Sequence, residues 1–116
     1  MLSIKISDFS NEAASKTKGI ELRKIIEPMI KNNISFSVDF QGISRFASPF
    51  FNNSFASLAL IYGFEIIEQI NVINLSEVGA LAFNTSMENA KLLSTNPDFV
   101  EKLNNIINTN LPKKDV

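Results

Sequence analysis

From position 34 to position 41 the chain alternates without interruption: Ile34, Phe36, Val38 and Phe40 are interleaved with Ser35, Ser37, Asp39 and Gln41. Successive side chains of a β-strand point to opposite faces, so this segment reads as a strand with one apolar face to bury and one polar face to hydrate. On either side the apolar period changes from two to three and four. Upstream, Leu22, Ile25, Ile26, Met29 and Ile30 mark an amphipathic helix over about 17–32, and Pro28, which cannot donate to the carbonyl of Lys24, predicts a kink in its last turn. Downstream, Ser48-Pro49 opens a helix with Phe51, Phe55, Leu58 and Tyr62 as its buried stripe, running to Tyr62 and stopped by Gly63.

The same reasoning extends outward. Leu2, Ile4 and Ile6 alternate with Ser3, Lys5 and Ser7 and predict a first strand; residues 70–74 predict a third, followed by Ser76 as the cap of a helix reaching about Leu93. Thr95-Asn96-Pro97-Asp98 then restarts a helix carrying Phe99, Val100, Leu103, Ile106 and Ile107, and 108–116 reads as a tail. The order β-α-β-α-β-α-α implies an α/β fold with a small, largely parallel sheet of three to four strands. A sheet covered on both faces would show continuous apolar strands, so the alternation places the helices mainly on one face and leaves the other to solvent or a partner. The expectation is one domain over 1–107.

Composition removes whole classes of chemistry. The chain contains neither cysteine nor histidine, which excludes disulfides, thiolate nucleophiles, imidazole bases and any Ser-His-Asp triad, and makes a zinc site unexpected. Eleven Lys+Arg against twelve Asp+Glu, with no basic run beyond Lys113-Lys114, give no electrostatic footprint for nucleic acid. Residues 46–64 carry no charge, but Ser48, Pro49, Asn52, Asn53, Ser54 and Ser57 interrupt them, so a buried helix is expected rather than a membrane span. The amino terminus meets Lys5 before any apolar run and lacks the pattern of a signal peptide, which points to the cytoplasm.

Local motifs are weak. Ser15-Lys16-Thr17-Lys18 matches the Ser-x-x-Lys of acyl-transfer enzymes, yet the chain is too small for that fold and lacks its companion motifs, so a solvated helix start is the better reading. Gly19, Gly42, Gly63 and Gly79 are isolated and form no phosphate-binding loop. Glu65/Glu68 and Asp98/Glu101 are carboxylate pairs of a kind that usually lies on solvated surface, and no metal or other cofactor is expected. Asp39 is a strand-end acid that either bonds a neighbouring loop or meets a partner, and Ser48 is a helix cap whose position would also stabilise a phosphate.

Taken together, Val38-Asp39-Phe40-Gln41-Gly42-Ile43 followed by Phe46-Ala47-Ser48-Pro49-Phe50 and a helix resembles the STAS family of anti-sigma-factor antagonists, and more closely the STAS-like domains of unknown function, DUF4325. Lys16-Thr17-Lys18-Gly19, Ser48-Pro49-Phe50-Phe51 and Phe55 support the resemblance, which covers about residues 2–93. It implies a non-catalytic interaction module whose strand-to-helix loop docks on a histidine-kinase-like ATPase, an anti-sigma factor or serine kinase, and is released when a serine at the helix start is phosphorylated. Aligned on the strand, Ala47 stands where the family usually has aspartate, and Pro49 where it has the phosphorylated serine. Ser48 is therefore the phospho-acceptor candidate, with a constitutive adaptor as the alternative.

The docking patch is expected over 42–53, with Asp39, Arg45, Ser48, Asn52 and Asn53 as partner-binding residues: Arg45 would steer an acidic partner, and the asparagines both donate and accept. Three other readings compete, the last in rank being a minimal enzyme using carboxylates or a lysine alone, for which no convergent set of such groups is visible. Phe50, Phe51 and Phe55 could line a pocket for a nucleotide or lipid, or the outer sheet face or first-strand edge could pair two copies into a homodimer.

Overall fold

The protein, described by a computed structural model over residues 2–95, is an α/β fold around a three-stranded parallel sheet of order β1-β2-β3. β1 spans Leu2–Lys5, β2 Phe36–Asp39 and β3 Asn71–Ile73. The helices are α1 (Lys16–Lys31), α2 (Ser48–Asn52), α3 (Phe55–Tyr62), α4 (Phe64–Glu68) and α5 (Glu77–Ser94). The expected helix over Phe99–Ile107, the tail over 108–116 and the 107 boundary lie outside the described residues.

Register sorts the faces, but β2 is buried on both: Ser37 and Asp39, expected on a hydrated face, are 5% and 6% exposed. Ile4, Val38 and Val72 are paired neighbours on one face, Lys5, Asp39 and Ile73 on the other. Phe36 and Val38, with Phe40 just beyond the strand, enter a core completed by Leu22 and Ile26 of α1, Phe50 and Phe51 of α2, Phe55 and Leu58 of α3, and Met87 and Ala90 of α5. Parallel neighbours in chain order, joined by right-handed crossovers, put successive helices on the same side of a sheet.

Several boundaries differ from expectation for identifiable reasons. β1 stops at Lys5 because the Phe9 and Ser10 amides both donate to the Ile6 carbonyl and curl Ile6–Asp8 into a 3₁₀ turn, with Ile6 still buried. β2 starts at Phe36: the Ile34 amide bonds the Met29 carbonyl and remains tied to the end of α1. The helix read continuously over 48–62 is broken at Asn53-Ser54, where Ser54 Oγ donates to the Phe50 carbonyl at 2.8 Å and Ser54 leaves helical backbone geometry. Such a side-chain bond four residues back competes with helix propagation. Gly63, at φ 106°, ends α3, but α4 then follows without a sequence signal. Ser15 and Ser76 cap α1 and α5 through the Lys18 and Gly79 amides.

Candidate functional site

The strand-to-helix connection is a strap tied at several points. Gly42 takes φ 84° and turns the chain after Phe40, whose carbonyl accepts from the Ile43 amide at 3.0 Å. The Ala13 amide donates to the Arg45 carbonyl at 2.9 Å and the Ala47 amide to the Ala13 carbonyl at 3.2 Å, a single parallel bridge between the lead into α1 and the lead into α2. Phe46 packs 6.0 Å from the Phe40 ring, and Gly79 of α5 lies so near that an added Cβ would stand 2.9 Å from the Phe46 ring edge. Arg45 points outward between these two inward anchors.

The same strap corrects the capping role expected of Ser48. Ala47, extended at φ −157°, is the cap residue; Ser48 and Pro49 occupy the first two helical positions, and no side chain caps the helix. Ser48 is half-buried and Asn52, one turn later on the same face, is exposed. Asn52 Oδ1 accepts from the hydroxyl of buried Ser86 and so fastens α2 to α5.

Asn53 and Asp39 are placed differently from what a contact surface requires. Asn53 is 6% exposed, and its amide Nδ2 and backbone N–H both donate to the Pro49 carbonyl, as suits a residue closing the last turn of a short helix. Asp39 is also 6% exposed and belongs to the carboxyl edge of the sheet, where its Oδ1 accepts from the Gln41 amide at 2.9 Å and from Asn74 Nδ2 at 2.8 Å. The Asn74 bond, then the Gln41 amide, outweigh desolvation and, with the nearby Lys5 charge, hold its carboxyl below the usual aspartate range. Arg45, Ser48 and Asn52 are the three expected residues that present side chains along the strap and α2.

Sequence reading missed Glu12. Burial pushes its pKa up, but its carboxylate accepts from the Ala14 and Ser15 amides and the Ser15 hydroxyl at 2.7–2.9 Å, and with the charge of Arg45 these bonds bring it below its ordinary value. Arg45 therefore acts in the field of a fixed carboxylate. Glu12 precedes the cap Ser15, the reverse of the order in a capping box, where the acid follows the cap by three residues, so no standard motif marked it. Arg23 was missed too: it is 4% exposed on α1, donates from Nη1 to Ser57 Oγ at 3.2 Å, and buries Nη2 without a partner among the described residues.

Phe50, Phe51 and Phe55 are fully buried and stacked among Phe40 and Phe83, so the pocket considered beside α2 is filled by its own rings. Among the described residues, clefts lie elsewhere, such as one of about 280 Å³ between the end of α1 and Ile66 and one of about 430 Å³ between Ile70 and Met87. Among the described residues no group of three or more acidic side chains could hold a metal ion, and no helix is long and apolar enough to cross a membrane. Ser15 of the Ser-x-x-Lys motif is occupied as the cap of α1.

This arrangement, a parallel βαβ core with a strap leading into a Ser-Pro helix start, is matched by a family model. The model of the STAS-like domain of unknown function, DUF4325, covers residues 18–80, more than half of the chain. The chain belongs to the DUF4325 family. The matched span begins in the first turn of α1 and ends in the first turn of α5, so it contains β2, the strap and α2 whole. Comparison with curated proteins and with solved structures returned no match.

Proposed function

We propose that this DUF4325 chain is a non-catalytic cytoplasmic regulatory module that docks on a protein partner through the strap and α2, the partner being a histidine-kinase-like ATPase of the partner-switching kind. The observation that carries the reading is the juxtaposition of Arg45, Ser48 and Asn52 along a strap whose backbone is pinned to Ala13. A pinned loop loses little conformational entropy when a partner closes over it.

The Ser48 hydroxyl makes no capping bond and keeps partial exposure, which suits a modifiable group. α2 has five residues and contributes little dipole, so a phosphate on Ser48 would draw its stabilisation mainly from Arg45, three positions upstream. Phosphorylation would then cover the cation that steers an acidic partner surface.

The test is incubation with the cognate serine kinase and ATP, followed by intact mass and a binding assay with the ATPase. One phosphate on Ser48, lost in Ser48→Ala, together with at least tenfold weaker binding by Ser48→Asp and by Arg45→Ala, is the expected result. An unmodified mass with normal binding by Ser48→Asp would leave a static adaptor, and normal binding by Arg45→Ala would remove this patch as the docking site.

A further inference from the structure

The outer face of α5 carries an apolar stripe that the described fold leaves uncovered. Val78, Leu81 and Leu92 are 63%, 69% and 64% exposed. At 100° per residue they fall, with exposed Thr85, within an arc of about 60° and a length of about 21 Å, facing away from buried Gly79, Ser86, Met87 and Ala90. Single exposed apolar residues are ordinary; three large ones on one narrow arc are not.

The stripe is complementary to itself. Val78 and Leu92 each lie seven residues from Thr85. If two copies of α5 pack antiparallel across a two-fold axis at Thr85, Leu92 of one copy lies opposite Val78 of the other and drops into the gap between Val78 and Leu81. The same operation brings Lys91 of one copy within about 3 Å, along the axis, of Glu77 in the other, on the same flank of the interface. Lys91 is half exposed in its 2.9 Å pair with Glu68, and its ammonium has three donors, so it can serve both carboxylates.

We propose that this chain forms a homodimer through α5, with its two-fold axis at Thr85. An isologous contact needs one patch that matches itself, and the spacing of Val78, Leu81, Thr85 and Leu92 supplies it. One helix pair buries less than the roughly 1,200–2,000 Å² of a standard interface, so the dimer is concentration-dependent. The surface is separate from Arg45 and Ser48, and the inference does not rest on their role.

The lack of native cysteine makes the test direct. Helices about 8–10 Å apart, with Cα atoms about 2.3 Å from each axis, bring the two Thr85 Cα atoms within the span of a disulfide. Thr85→Cys should give a disulfide-linked dimer on mild oxidation, while Lys24→Cys on exposed α1 stays monomeric; light scattering of the unaltered chain should rise from one chain toward two with concentration. Leu81→Glu, at a site exposed enough to leave folding intact, should hold the mass at one chain. Equal cross-linking of the two cysteine variants, or a mass of one chain at every concentration, would overturn the proposal.

Discussion

Gly19 of α1 lies directly against the backbone carbonyl of Phe50 in α2: a Cβ at position 19 would stand 2.4 Å from the Phe50 oxygen and 3.1 Å from its carbonyl carbon. Those are main-chain atoms with no rotamer to turn away. Gly19→Ala gains up to about 1 kcal/mol of helix propensity, but prying α1 from α2 costs about 1–3 kcal/mol. A net loss in urea denaturation is expected. Stability equal to or above that of the unaltered chain would show that the two helices are not held at this distance.

Phe51 is the centre of the aromatic core. Its ring lies 5.1 Å from Phe50, 5.5 Å from Phe83, 5.9 Å from Phe40 and 6.2 Å from Phe55, joining the residue after β2 to α2, α3 and α5. Phe51→Ala should cost about 3–5 kcal/mol, near the limit of what a domain of this size tolerates, and Phe51→Leu clearly less. Chemical denaturation of the pair measures both.

Arg23 makes a different forecast. Removing a buried cation that has one hydrogen-bonded partner and a stranded Nη2 relieves desolvation, while an unbranched apolar side chain retains the packing. Burial already lowers the Arg23 pKa, with Glu27 opposing. Arg23→Met is therefore expected to be neutral or stabilising, and Arg23→Ala destabilising by loss of volume; a large loss in Arg23→Met would mean that the guanidinium is structurally required.

Tyr62 donates to Glu27 Oε2 at 2.7 Å across the α1–α3 seam, and this bond, aided by burial and the Glu27 charge, pushes its phenol up to about 12. A raised folded-state value favours the protonated form, so this contribution is complete below pH 10 and disappears as pH rises from 10 through 12. Tyr62 is the only tyrosine and there is no tryptophan, so near-ultraviolet absorbance follows it alone. Glu27→Gln should move the titration back toward 10; an unchanged midpoint would remove Glu27 as the cause.

Periodicity located β2, α1 and the cap at Ser76, which follow from Phe36-Val38-Phe40, Leu22-Ile26 and Ser76, but it did not give the burial of β2, whose polar Ser37 and Asp39 are buried as well. The break at Ser54 was not legible, since it depends on a side chain bonding its own helix at Phe50, which the apolar stripe of 51–62 does not register. α4 was hidden for a related reason, its five residues showing less than two turns of pattern. At the candidate site, the strap's position was readable, but accessibility within it was not. Asn52 and Asn53 are indistinguishable as letters, and the turn of α2 decides that one stays exposed while accepting from Ser86 and the other is buried against the Pro49 carbonyl.

Asp39 and Asn74 give the remaining prediction. The depressed folded-state value of Asp39 stabilises the ionised form, so its contribution is full above the ordinary value of 3.8 and is lost as pH falls through the lower folded one. Asn74 supplies the first cause of that depression and also holds a left-handed φ of 60°. Asn74→Ala removes the bond and strains the turn, whereas Asn74→Gly removes the bond and keeps the turn. Both should raise the Asp39 titration followed by carboxylate NMR and weaken acid resistance, with Asn74→Ala the less stable by about 1 kcal/mol at neutral pH. If the Asp39 titration does not move in Asn74→Gly, the Gln41 amide and the Lys5 charge set the carboxylate without Asn74, and the β2–β3 edge is not locked by this pair.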